Sequence, residues 1–274
     1  MDLNTITEVA RPADRAALGP WRDGDAFLAG GTWLFSEPQR HLRRLIDLTA
    51  LGWPALRVTP AGLSLAATCP VATLAAFEPP ADWRSGGLIG DCCRAFLASF
   101  KIWNVATVGG NICASLPAGP MVSLTVALEG SCLIWSPDGS ERRVASEAFT
   151  RGPFDTALAP GEILRAIDLP LEALRRPYAF RRQSLTPLGR SAILLIGART
   201  AAGGFVLTVT ASTRRPVVLR FEVMPGAAAL AARIAAGIPE DLWYDDIHGL
   251  PDWRAHMTRE FAEEIRLELG GARP

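Results

Sequence analysis

The C-terminal part of the chain carries four short runs that contain apolar or aromatic residues, each followed by a polar or glycine-containing turn. They predict strands over residues 178–182, 191–200, 204–210 and 217–223. Two stretches with helical spacing follow, over 227–236 and 252–269, and Asp252 is a credible N-cap for the second. The pattern therefore predicts a sheet followed by two helices.

The first part of the chain alternates between short apolar runs and loops. Runs at 26–28 and 45–48 predict two strands, and the stretch 12–18 predicts a helix ahead of them. A hairpin is expected over 56–65, where apolar and small residues flank a Thr-Pro-Ala-Gly turn. Residues 1–55 thus predict a small β-α-β-type unit, and a second unit begins at about residue 56.

The second unit is predicted to mix helices and strands. Thr68 and Pro70 are a plausible N-cap and first-turn proline of one helix, and residues 88–100 have helical spacing. Pro120 opens a further helix that Gly130 closes. A hairpin over 132–144 and a strand over 162–169 complete the unit. A polar linker at 171–177 places the predicted domain boundary, which gives domains 1–172 (lobes about 1–55 and 56–172) and 173–274.

Composition and charge restrict the function more than the fold. The chain has 274 residues, 49% of them hydrophobic, and its 28 lysines and arginines balance 28 acids. With no basic run, nucleic acid is not an expected partner, and no stretch is long and apolar enough to predict a membrane span. The five cysteines contain no C-x-x-C pair, so we expect buried reduced thiols and no metal site. A cytoplasmic protein is the expectation.

Two paired glycines are the candidate binding elements. Gly30 and Gly31 follow one apolar run, and Gly109 and Gly110 follow another, each pair with a threonine beside it. Either pair alone is typical of an ordinary tight turn. Together they suggest backbone N–H groups that hold a diphosphate from two sides. The chain lacks the nicotinamide, ATP and hydrolase motifs and shows no catalytic residue pattern, so a bound cofactor is expected to supply the chemistry.

Three motifs in this order resemble the FAD-binding medium subunits of molybdenum hydroxylases, the family of xanthine dehydrogenase and carbon monoxide dehydrogenase. They are AGGTWL at 29–34, ATVGGNI at 106–112 and PGEIL at 160–164. The resemblance extends over nearly the whole chain. It implies an α+β fold with a two-lobed FAD-binding domain, followed by a smaller C-terminal α+β domain of antiparallel sheet and helices.

The resemblance also implies which residues hold FAD. The first loop would be Ala29, Gly30, Gly31, Thr32, Trp33 and Leu34, and the second Thr107, Gly109, Gly110 and Asn111. Thr68 stands where the family has a hydroxyl-bearing loop near the cofactor, an alternative to its role as an N-cap. The family commonly has an acid where Trp33 stands, a base where Trp103 stands, and a cofactor-binding aspartate where Pro120 stands. For both tryptophans we expect core packing rather than flavin stacking.

The function implied is electron transfer through FAD. A large subunit with the molybdenum cofactor and a small subunit with two [2Fe–2S] clusters would be the partners, in a heterotrimer or its dimer. Electrons would pass from the clusters to FAD and then to an external acceptor. Two alternatives stay open at this point: a stand-alone FAD-dependent oxidoreductase, and a flavin-free scaffold subunit, which Pro120 would favour.

Overall fold

The computed structural model describes residues 3–271, which form both helices and strands. The strands are β1 (Glu8–Ala10), β2 (Asp25–Leu28), β3 (Arg44–Asp47), β4 (Leu56–Thr59), β5 (Gly62–Ala66), β6 (Ser131–Trp135), β7 (Glu141–Ala145), β8 (Thr150–Gly152), β9 (Asp155–Thr156), β10 (Ile163–Pro170), β11 (Tyr178–Gln183), β12 (Ile193–Arg199), β13 (Phe205–Thr210) and β14 (Val217–Phe221). The α-helices are α1 (Val71–Ala75), α2 (Gly86–Ala95), α3 (Phe100–Trp103), α4 (Val108–Ala114), α5 (Pro120–Ala127), α6 (Ser146–Phe149), α7 (Leu171–Leu174), α8 (Ala227–Gly237) and α9 (Pro251–Gly270). Short 3-10 turns lie at Ala16–Leu18, Leu48–Leu51 and Glu240–Leu242.

The first lobe is a three-stranded parallel sheet in the order β1-β3-β2. A buried ion pair fastens β2 to β3, because Arg44 Nε donates to Asp25 Oδ1 at 2.8 Å and its terminal nitrogen donates to the other oxygen. This bidentate contact lowers the pKa of the Asp25 carboxyl. The first glycine turn follows β2 directly, so the ion pair helps to fix where that turn begins.

The second lobe is a five-stranded antiparallel sheet in the order β4-β5-β10-β6-β7. Helices cover its inner face, and α5 at their centre is buried along its whole length. A helix that is apolar on every side requires such an environment, which explains why the apolar stretch after Pro120 does not reach the surface. The first core therefore surrounds α5.

The C-terminal part is an antiparallel sheet in the order β11-β12-β13-β14, followed by α8 and α9. All six residues of β13 are buried. Side chains alternate between two cores, since Leu194 and Ile196 of β12 pack with the core around α5 while Ile193 and Leu195 pack with α8 and α9. One sheet thus serves both cores.

Several predicted element boundaries differ in the structure. The predicted helix at 12–18 is only a 3-10 turn, and the one at 88–100 ends at Ala95 and is followed by the separate α3. The predicted linker at 171–177 begins with the short helix α7. The domain boundary itself stays a prediction.

Three predicted caps are also placed differently. The N-cap of α1 is Pro70 and not Thr68, and the N-cap of α9 is Leu250 and not Asp252. Neither has a side-chain capping hydrogen bond, so backbone packing sets these starts. After α5 the left-handed conformation falls on Glu129, at φ 51°, one residue before Gly130.

Glu162 predicts an acid-dependent loss of stability. Its buried carboxylate accepts hydrogen bonds from Arg142 Nε at 2.8 Å, Ala159 N at 2.7 Å and Ser136 Oγ at 3.1 Å. These bonds, chiefly those from Arg142, lower the pKa of Glu162 from 4.5 to about 2. The stabilisation is complete above pH 4.5 and is lost as the pH falls toward 2, to a total of roughly 3 kcal/mol.

The measurement is urea unfolding of the wild type, Glu162→Gln and, as a control, Glu222→Gln, whose side chain is exposed. We expect the free energy of unfolding of the wild type to exceed that of Glu162→Gln at pH 6 and to approach it at pH 3. The control should follow the wild type throughout. A constant difference between wild type and Glu162→Gln would refute the assignment.

Candidate functional site

One cleft brings the two glycine turns together. It has a volume of about 590 Å³, within the range of small-molecule sites. Of the predicted site residues, those that line it are Ala29, Gly30, Gly31, Thr32, Trp33, Leu34, Thr107, Gly110 and Asn111. Thr68 and Gly109 do not line it. The structure therefore gathers nine of the predicted residues, from two turns far apart in sequence, around one space.

The two turns approach each other so closely that a side chain does not fit between them. A Cβ on Gly30 would lie 1.9 Å from the carbonyl oxygen of Val105, in the segment that leads to the second turn. The next residue, Gly31, adopts a φ of +68°, a conformation that favours glycine. Both glycines of the first turn are thus required by geometry.

The first turn presents free backbone donors. The N–H groups of Gly30, Gly31, Thr32, Trp33 and Leu34 have no hydrogen-bond acceptor within residues 3–271. The turn is closed further along instead, where Phe35 N donates to the carbonyl oxygen of Gly31 at 2.8 Å. Successive N–H groups of this kind bind anionic oxygens.

In the second turn, the backbone N–H groups that the sequence analysis expected to be free for a ligand already have acceptors within the protein. Val108 N donates to Cys69 O and Gly109 N donates to Ala67 O, each at 2.9 Å, so both are consumed in holding the turn to the chain before α1. Gly110 N donates to the hydroxyl oxygen of its N-cap, Thr107, at 3.0 Å. The second turn therefore contributes side chains and a close backbone surface to the cleft, and fewer N–H groups than the sequence suggests.

Asn111 is the main polar side chain of the second turn. Its Oδ1 accepts a hydrogen bond from Met121 N at 3.0 Å, at the start of α5. Because Oδ1 faces α5, the amide nitrogen of Asn111 is left as a donor, and it has no acceptor in the described part of the chain. Pro120 lies beside it at the first position of α5, where the missing N–H is tolerated.

The two predicted site residues that do not line the cleft, Thr68 and Gly109, lie among residues of the protein itself. Gly109 packs on Ala67, whose Cβ would lie 2.4 Å from a Cβ added at Gly109. Thr68 lies in the turn between β5 and α1 and is half-buried. Contact of either residue with a cofactor stays a prediction.

The tryptophans do not both follow the expectation of core packing. Trp103 is half-buried and donates its indole N–H to Phe96 O at 2.9 Å. Trp33 instead lines the cleft with 40% of its surface exposed, in contact with Phe154. Phe154 comes from the turn between β8 and β9, and no local sequence pattern marks it as a site residue.

Arg190 is the one charged residue among the described residues that line the cleft. It precedes β12, together with Ser191, and its side chain has no ion-pair partner within residues 3–271. The fold brings Arg190 to the cleft in the loop between β11 and β12.

Metal binding finds no support in the part of the chain that the structure describes. No three His, Cys, Asp or Glu side chains lie close enough together there to hold an ion. The cysteines are free, four of them buried and Cys113 half-buried. Burial raises the pKa of the Cys69 and Cys93 thiols to about 12, which makes them poor nucleophiles. No helix within residues 3–271 combines the length and apolar character needed to cross a membrane.

Comparison with models of protein families shows to which family this chain belongs. The model of the FAD binding domain in molybdopterin dehydrogenase matches residues 10–172, more than half of the chain. The chain belongs to this family. The predicted family resemblance, the FAD cofactor and the assignment to oxidoreductases are confirmed by this match.

One relative by sequence and several solved structures are similar to this chain. Over 86 residues the chain is 31% identical to the carbon monoxide dehydrogenase medium chain of Afipia carboxidovorans, a segment that spans 31% of this chain and 30% of that one. In solved structures, carbon monoxide dehydrogenase from Oligotropha carboxidovorans gives a TM-score of 0.83 at 20% identity, with 100% of both chains covered. Quinoline 2-oxidoreductase from Pseudomonas putida 86 gives 0.78 at 19% identity, with 99% of both covered. The predicted α+β fold class is confirmed.

The residues of this family member fit the diphosphate of FAD. The first turn supplies unpaired N–H groups, and the amide nitrogen of Asn111 supplies a further donor. A Cβ at position 30 would lie 1.9 Å from Val105 O, so only glycine there allows the two turns to approach this closely. Among the described residues that line the cleft there is no acid, so no carboxylate there repels the phosphate charges.

Proposed function

We propose that this chain is the FAD-binding electron-transfer subunit of a multi-subunit molybdenum hydroxylase similar to carbon monoxide dehydrogenase. The observation that carries the proposal is the convergence of the two glycine turns on one cleft in a chain of this family. When bound, FAD would accept electrons from [2Fe–2S] clusters of a partner subunit and deliver them to an external acceptor.

The chain's own residues are assigned to binding and placement. The amides of residues 30–34 and the side chains of Thr107 and Asn111 would hold the diphosphate through charge-assisted hydrogen bonds. Arg190 and Ser191, in the loop between β11 and β12, also line the cleft. The described residues that line the cleft include no carboxylate and no histidine, so these residues orient the cofactor and do not transfer protons.

The partners follow from the same proposal. A large subunit would hold the molybdenum cofactor and a small subunit two [2Fe–2S] clusters, in a heterotrimer or its dimer. Support comes from the medium-chain relative of Afipia carboxidovorans, whose name places it in a complex with other chains. A cytoplasmic location stays a prediction.

FAD uptake is the direct test. The purified chain, mixed with FAD and freed of excess by gel filtration, is expected to retain one flavin per chain with a shifted visible spectrum and a micromolar or lower Kd. FMN, which lacks the diphosphate, should compete weakly. Failure to retain FAD at high micromolar concentrations would contradict the proposal.

Two observations favour a second function, that of a flavin-free scaffold subunit. Three amides of the second turn, those of Val108, Gly109 and Gly110, already have acceptors, and Pro120 stands where the family has an acid. Copurification with the chains of its complex separates the two functions. A heterotrimer that contains molybdenum and iron but no flavin would select the scaffold, and substrate-driven bleaching of FAD in the isolated chain would instead show a stand-alone oxidoreductase.

A further inference from the structure

Two aromatic rings meet at the cleft from opposite sides. Trp33 belongs to the first glycine turn, and Phe154 belongs to the turn between β8 and β9 of the second lobe. Their ring centroids are 5.2 Å apart, with planes inclined by 38°. Both rings remain open to solvent, since Trp33 is 40% and Phe154 58% exposed. The Trp33–Phe154 pair therefore offers uncovered ring surface inside a ligand cleft.

The backbone at Phe154 is held in an unfavourable conformation. Its φ is +59°, in the left-handed region that a bulky residue rarely adopts. The turn is fixed from below, because the buried Ser115 hydroxyl lies 2.6 Å from Gly152 O and 2.8 Å from Asp155 O. Phe154 N also donates to Ala114 O at 3.3 Å, at the end of α4. The strain thus aims a large apolar side chain at the cleft instead of burying it, a pattern typical of functional positions.

The other groups that line the cleft suit a diphosphate better than a heteroaromatic ring. Its free donors lie in the first turn and at Asn111, which suit phosphate oxygens, and its one charged side chain is Arg190. Among the residues 3–271 that line the cleft, there is no carboxylate to hold the hydroxyl groups or ring nitrogens of a nucleotide. A flat heteroaromatic ring attached to the diphosphate must then be held mainly by stacking and apolar contact.

We propose that the Trp33–Phe154 pair is the stacking contact for one heteroaromatic ring of the bound dinucleotide, either its adenine or its isoalloxazine. The inference rests on the proposed function, since it requires that the cleft binds FAD. It assigns to Trp33 a contact through the ring face, at a position where the family commonly has an acid.

The test measures Kd values for three probes, FAD, ADP and FMN, by titration calorimetry. Trp33→Ala is expected to weaken FAD binding about tenfold or more, and Trp33→Phe to restore most of it, because aromatic–base stacking contributes about 1–3 kcal/mol per base. Phe100→Ala is the matched control, because Phe100 is 73% exposed but does not line the cleft. It should bind all three probes as the wild type does.

Phe154→Gly separates binding from folding. Glycine accepts the positive φ, so the Tm of the protein without FAD should not fall, while FAD binding weakens. A merely structural role of Phe154 would lower both.

The three probes show which ring of FAD contacts the Trp33–Phe154 pair, and they separate failure of this inference from failure of the proposed function. Loss of ADP affinity with unchanged FMN affinity assigns the pair to adenine, and the reverse assigns it to the isoalloxazine; both outcomes support the inference. If wild type takes up FAD and Trp33→Ala binds every probe equally well, only this inference is overturned. If wild type takes up no FAD, the proposed function fails and the inference fails with it.

Discussion

Gly30→Ala is expected to weaken FAD binding by about a hundredfold or more. The added methyl would lie 1.9 Å from Val105 O, a backbone atom that cannot rotate away, so the first turn must move away from the second. The free N–H groups of residues 30–34 would move with it, away from the second turn. Loss of two such bonds to a charged phosphate is worth roughly 3 kcal/mol or more.

FAD titration followed by flavin fluorescence measures this effect, with the Tm of the FAD-free protein as a check on folding. Gly226→Ala is the matched control, because a Cβ there meets nothing within 4 Å and its φ is negative. It should bind FAD normally. Unchanged FAD affinity in Gly30→Ala would mean that the approach of the two turns does not shape the binding site.

Arg254→Met is expected to reduce the free energy of unfolding by about 3–5 kcal/mol. Arg254 lies on α9 with 1% of its surface exposed. Its guanidinium donates to Gly249 O at 2.9 Å, to Ala192 O at 2.7 Å and to the carboxylate of Asp246. Methionine keeps much of the volume but supplies no donor, so buried carbonyl oxygens and a carboxylate lose their partner.

Urea unfolding gives the size of this effect, and Arg259→Met on the same helix is the control. Arg259 is exposed, so its replacement should change the free energy of unfolding by less than about 0.5 kcal/mol. Equal stability of the two variants would show that the contacts of Arg254 are not needed to hold the loop before α9 against the sheet.

The sequence predicted the elements that depend on local pattern. The four C-terminal strands, the hairpins and helices α5, α8 and α9 were predicted because their periodicity agrees with the burial that the fold imposes. The starts of α1 and α9 were wrong because capping side chains were expected where proline and backbone packing begin the helix instead. Glu129 takes a left-handed conformation that the sequence pattern assigns to Gly130.

The candidate site was predictable only in part. Both glycine turns were recognised from their residues, since close backbone approach requires glycine at Gly30 and Gly109. Which backbone N–H groups remain free was not predictable from the sequence. Those of the second turn donate to the carbonyl oxygens of Ala67 and Cys69, which lie some forty residues earlier and are brought there by the fold. Phe154 and Arg190 likewise reach the cleft through tertiary contacts that leave no local signal.

The C-terminal sheet limits where this protein tolerates inserted or deleted residues. Because β12 faces one core with its even positions and the other with its odd ones, a single residue inserted into or deleted from β12 would exchange the two sets of side chains. Neither core would then receive side chains of the right size. Length variation among relatives of this chain is therefore expected in the exposed turn at 200–203 between β12 and β13, and not within β12.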